Sequence, residues 1–147
     1  MRTRTTLGAL TLLLAMTATA SAQPCGPAPS TPVAITADAI LCFEPSPDHN
    51  ANDVAGNPKV ASYTWGHYLP GAAEPVQSWP LGKPTPVNGA IRVKPEGLVS
   101  VPLEVLYVAR VAAVGSNGLR GVSDPSNPFY RPGGPAAPRG LVWILGL

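Results

Sequence analysis

Side chains that do chemistry are scarce in this chain. Its 147 residues include two cysteines and two histidines, and only 12% are charged and 6% aromatic. Two cysteines and scattered histidines lack the paired ligand spacing of a structural zinc site. His49 and His67 are the two groups that titrate near neutral pH, and no G-x-S-x-G elbow, close carboxylate pair or glycine-rich phosphate loop following a strand accompanies them. A non-catalytic protein without a cofactor is therefore expected. The cations do not cluster into a basic face, which removes the electrostatic basis for binding nucleic acid. Helical patterning is missing too: all 19 prolines follow Gln23, and beyond that point no stretch of eleven residues keeps an apolar 3.6-residue period free of proline and glycine.

The N-terminus reads as a leader. Arg2 and Arg4 precede the uncharged, mostly apolar run Leu7 to Ala20, and Ala20-Ser21-Ala22 is a small-residue cleavage site before Gln23. The run is shorter than the roughly 20 apolar residues that span a bilayer, so cleavage is expected rather than a retained anchor. Cys25 follows Ala22-Gln23-Pro24, which does not match a lipoprotein acylation motif. Removing residues 1–22 also removes Arg2 and Arg4, leaving 125 residues with eight cations against eight carboxylates. The expected location is secreted, periplasmic or extracellular, with no stable membrane span after cleavage.

The remaining chain reads as all-β. Apolar segments bounded by Pro, Gly, Asn and Asp fall at Val33–Ile35, Ala39–Glu44, Val60–Leu69, Val76–Leu81, Ala90–Lys94, Leu103–Val114 and Leu119–Val122, the last extensible to Phe129 and Tyr130. The clearest is Val105 to Ser123, where Tyr107, Ala109, Val111 and Ala113 share one face at period two. Asn117-Gly118 then supplies the positive φ angles of a short hairpin turn. Seven short strands with such punctuation predict an antiparallel immunoglobulin-like sandwich.

Three stretches resemble a named family. Leu41-x-Phe43-x-Pro45 resembles the second strand of fibronectin type III domains, Val60 to Trp65 the third, and Tyr107 to Ala113 with Asn117-Gly118 and Ser123 the sixth strand, its turn and the start of the seventh. The resemblance implies a seven-stranded antiparallel fibronectin type III sandwich over residues 23–131. It departs from the family where Phe43 replaces the usual Trp and where Ser46 to Lys59 is longer than usual. Tyr107, near the start of the sixth strand, is expected to bond its hydroxyl back to the preceding loop, and Ala109 stands where antibody-type domains carry a cysteine.

In such a fold Cys25 and Cys42 lie close enough for one bridge that staples the N-terminal segment to the second strand, the alternative being two unpaired thiols. The bridge would contribute about 3 kcal/mol on the chain-entropy model. Cys42 alternates with Leu41 and Phe43 and so turns from the core.

Two surfaces are candidates for binding. The long loop holds Asp48, His49, Asn50, Asn52 and Asp53, which with Asn117 and Gly118 should emerge at one end of the sandwich. Oxygen ligands at alternate positions faintly echo a calcium loop, but Asp53 stands where glycine is wanted and no glutamate closes the motif, so side chains capping their own turns are the simpler reading. Tyr68 and Trp79 are candidates for an exposed aromatic surface able to stack on a sugar or peptide. Residues 132–147 form a Pro/Gly linker and an apolar tail, GLVWILGL, which either opens a further module or docks as an extra edge strand. The expected function is a binding, spacer or adhesion module for a protein or an extracellular polymer; the alternative is an accessory carbohydrate-binding domain.

Overall fold

The computed structural model describes residues 24–135. The expected leader and the apolar tail lie outside the described residues. Short extended runs between prolines and glycines pair into two sheets. The strands are β1 (Val33–Ala34), β2 (Leu41–Phe43), β3 (Ser62–Tyr68), β4 (Gln77–Gly82), β5 (Ile91–Val93), β6 (Leu106–Val114), β7 (Arg120–Val122) and β8 (Phe129–Tyr130), with one 3-10 turn at Leu98–Ser100. The larger sheet runs β1-β8-β6-β3-β4 with β7 also on β6, and the smaller pairs β2 with β5. No helix among the described residues is long and apolar enough to cross a membrane.

The fold is all-β, as the punctuation predicts, but the described residues hold eight strands and are not wholly antiparallel. β1 runs parallel to β8, with Val33 opposite Phe129. The extension expected of the seventh strand is a separate element because Pro125 and Pro128 have no N–H to continue a ladder. Serine hydroxyls fill in. Ser123 N–H donates to Val111 O and Val111 N–H to Ser123 Oγ; three residues on, Ser126 N–H donates to Ala109 O and Ala109 N–H to Ser126 Oγ. Between the pairs Ala112–Val122 and Tyr107–Phe129, β6 advances five residues and its partner seven, so the segment bulges twice before β8 forms.

Alternation along β3 and β6 builds the core. Tyr63, Trp65 and His67 of β3 and Tyr107, Ala109 and Val111 of β6 are all buried, while β5 adds Ile91 and the turn segment adds Leu98 and Val101. β2 contributes Leu41 and Phe43, whose ring lies 5.3 Å from that of Tyr63, so one apolar cluster draws on both sheets. Cys42 points the other way and bonds Cys25, with their Cα atoms 5.7 Å apart. Opposite it on β5, Arg92 donates to Pro24 O at 2.6 Å and seats the same N-terminal segment a second time.

The expected tyrosine corner moves. Among the described residues no hydrogen bond holds the Tyr107 hydroxyl, and its ring serves instead as the edge-on neighbour of His67 at 4.7 Å. The hydroxyl that ties a loop to the core is that of Tyr63, which accepts Ser46 N–H at 3.1 Å and lies 2.9 Å from His49 Nδ1.

Candidate functional site

The connection from β2 to β3 is built from nested turns. His49 N–H donates to Ser46 O and Asp48 N–H to Ser46 Oγ, a local serine turn that carries the chain outward. Beyond it Asn52 pairs with Pro58 and Lys59 N–H donates to Ala51 O, so residues 52–58 form a small protrusion. Asp53 ties its tip. Its Oδ1 accepts N–H bonds from Ala55 and Asn57 and its Oδ2 accepts from Asn57 Nδ2. The bonds from Asn57 hold the Asp53 carboxyl below its ordinary range. At the base Lys59 Nζ reaches Asp48 Oδ1 at 3.2 Å, a half-exposed pair.

Facing this loop is the β6–β7 turn. It differs from the expected short turn in one respect: Gly118 has a positive φ of 80°, but Asn117 does not. Gly118 N–H donates to Gly115 O and Gly115 N–H to Leu119 O, so Ser116, Asn117 and Gly118 make a three-residue connection that ends on a left-handed glycine. Ser116 Oγ donates to Pro58 O at 2.6 Å and clips the turn to the long loop. Gly115 sits where a Cβ would press on Lys59 O at 3.0 Å and on Asn117 Oδ1 at 2.7 Å, so the close approach of the two connections favours glycine there.

Between them lies an open cleft of about 460 Å³. Val60 and Ala113 line it with apolar surface, and Asp48, Asp53, Lys59, Ser116, Asn117 and Arg120 give it polar walls. Arg120 donates to Thr64 Oγ1 at 2.6 Å and has no carboxylate partner among the described residues. The structure places Asp48, Asp53 and Asn117 on the walls of this one cleft. Asn50, Asn52 and Gly118 are exposed beside the cleft without lining it. His49 is turned inward and buried, its ring stacked on Tyr63. Burial holds its imidazole below the ordinary value of 6.5, and Lys83 adds to the effect.

Lys59, the last residue of the long loop, also lines the cleft, as do Ser116 and Arg120, which the sequence does not single out. Lys59 closes the long loop and Arg120 opens the strand after the turn, so position next to the two connections was the available signal. Calcium-like ligation gains no support: the Asp53 carboxylate is used within its own loop and Asp48 is paired with Lys59. Among the described residues no group of three or more His, Cys, Asp or Glu could hold a metal ion.

The aromatic surface requires correction. Trp79 is packed inward, stacked on Trp65 at 5.0 Å and on His67 at 5.5 Å, and a Cβ at Gly97 would fall inside its indole. Tyr68 is 7% exposed, and the Arg110 guanidinium lies 5.4 Å from its ring centroid. Tyr68 is buried, and Trp79 is partly buried and packed against the core. Period two explains Trp79: it stands opposite Trp65 on the face that β3 turns to the core.

No family model, curated protein or solved structure matches the chain.

Proposed function

We propose that this chain is an exported, non-catalytic binding or adhesion module built as a fibronectin type III-like sandwich, and that it recognises an extracellular protein or polymer through the cleft between residues 46–60 and 115–121. The observation that carries this reading is the convergence of the two connections on one mixed-charge cleft, clipped by Ser116 to Pro58. The strand order supports the architecture, since β2 and β5 stand in one sheet and β3, β6 and β7 in the other, the division an immunoglobulin-like sandwich makes. The Cys25–Cys42 bond is compatible with an oxidising compartment. The carbohydrate-binding alternative has less support, because Tyr68 is buried and Trp79 is packed against the core.

The test must spare the first half of the loop, because Ser46 and His49 are bonded to Tyr63. Replacing the tip, residues 53–57, by two glycines takes Asp53 out of the cleft wall and leaves that anchor in place. Wild type is expected to be retained on immobilised surface polymer and protein from its native extracellular milieu, and the tip variant to be lost from it. The near-ultraviolet signal of the Trp65–Trp79 stack should stay unchanged in both. Equal retention of a folded tip variant would remove the cleft from the reading and leave a spacer.

A further inference from the structure

The cleft is bordered by the free edge of the larger sheet. β7 pairs with β6 on one side, and no strand among the described residues covers its other side. In an antiparallel pair the backbone groups of successive residues point alternately toward and away from the partner. Gly115 N–H to Leu119 O and Ser123 N–H to Val111 O set residues 119, 121 and 123 toward β6. The N–H and C=O of Arg120 and Val122 therefore point into the open. All three β7 residues are exposed, and nothing comes within 4 Å of a Cβ built on Gly121. The other edges are blunted: β4 carries Pro80, which has no N–H, and β1 is two residues long and follows Pro32.

We propose that this edge pairs with β7 of a second copy, antiparallel, about a twofold axis through Gly121. That register is self-complementary. Arg120 falls opposite Val122 of the partner and Val122 opposite its Arg120, each pair exchanging two N–H to O bonds, four in all. The two Gly121 residues meet at the closely approaching, non-bonded position, where a missing Cβ helps most. Moving the axis to Arg120 would set arginine against arginine. Moving it to Val122 would need Asp124, which lies beyond the regular strand and whose carbonyl already accepts Ser123 Oγ–H. Since Leu119, Arg120 and Gly121 also line the cleft, pairing places two clefts beside the axis and makes the module bivalent whatever the cleft binds.

Sedimentation of the purified chain over a wide concentration range tests this. The weight-average mass is expected to climb from one chain toward two. Val122→Pro removes an outward N–H that β6 does not use and should hold the protein at one chain. Val122→Lys leaves the backbone intact but sets a cation against Arg120 of the partner, and it should do the same. Val122→Glu sets a carboxylate there instead and should shift dimer formation to lower concentration than wild type. The Trp65–Trp79 signal reports that each variant is folded. A wild-type mass that stays at one chain throughout overturns the proposal, and so do Lys and Glu variants that weaken association alike.

Discussion

His49 and His67 are both buried, at 6% and 0% exposure, yet they are held in opposite ways. His49 sits in a loop, and its Nδ1 meets the Tyr63 hydroxyl, which in turn accepts a backbone N–H from Ser46. His67 sits mid-strand between Trp79 and Tyr107, and neither ring nitrogen has a hydrogen-bond partner among the described residues. One ring is kept by polar bonds that fix where a loop leaves the core. The other is kept by stacking, in a place that a phenyl ring would fill without a dry N–H. Burial disfavours the imidazolium of both, so both folded-state pKa values lie below 6.5. The difference teaches that two histidines equally hidden from solvent have different work: His49 organises the binding end, and His67 is a core aromatic that carries a proton-sensitive weakness.

The sign of that weakness follows from linkage. A histidine whose pKa is lowered on folding contributes its stability fully above 6.5. Below that value the unfolded chain takes up a proton that the folded state refuses, so stability falls as pH drops toward the folded pKa, by up to about 1.4 kcal/mol per pH unit for one such group.

Four substitutions break or sharpen the contrast, in descending order of effect. Trp79→Ala takes away the ring stacked on both Trp65 and His67 and should lower the free energy of unfolding by about 3–5 kcal/mol, read from denaturant midpoints. It also admits water to His67, so the pH dependence that remains should be shallower. Tyr63→Phe leaves Ser46 N–H without its acceptor and His49 without its hydroxyl, at a cost of about 1–3 kcal/mol. A cost as small as that of an exposed substitution would mean the loop is not anchored there. His67→Phe keeps the stacking and deletes the titrating group; between pH 6.5 and 5.5 it should flatten the stability profile by up to about 1 kcal/mol. An unchanged slope would assign the acid sensitivity to another group. Tyr107→Phe should shift stability by less than about 0.5 kcal/mol, because no bond holds its hydroxyl among the described residues; a loss matching that of Tyr63→Phe would restore the corner originally expected at Tyr107.

The positions of the strands were legible because proline and glycine leave so few extended runs. Each expected segment coincides with a strand to within three residues at either end, β4 running one residue further than expected, to Gly82. Turn geometry was less legible, and the two Asn-Gly pairs show why. Asn88-Gly89 forms the two-residue turn, with φ of 51° and 77° and mutual bonds between Val87 and Ala90, whereas Asn117-Gly118, with the same dipeptide, sits in a three-residue connection. Gly115 can approach Lys59 O and Ser116 bonds Pro58 O, so contact with a loop distant in sequence selects the turn. Sequence alone makes Trp79 a candidate for an exposed aromatic surface. Its inward face is settled by the register that sets it opposite Trp65.

What local sequence determined is what depends on near neighbours: where backbone can remain extended, which residues alternate to one face of β6, and which cysteine turns from the core to meet the other. What only the tertiary structure decided depends on residues brought together from afar. Val33 beside Phe129 makes the sheet mixed. The Tyr63 hydroxyl, and not that of Tyr107, becomes the anchor because Ser46 and His49 fold back over it. Lys59 and Arg120 share a cleft only once two connections far apart in the chain are clipped together. Alternation along a strand reports which way a side chain points; it carries no information about which strand, loop or charge will be waiting there.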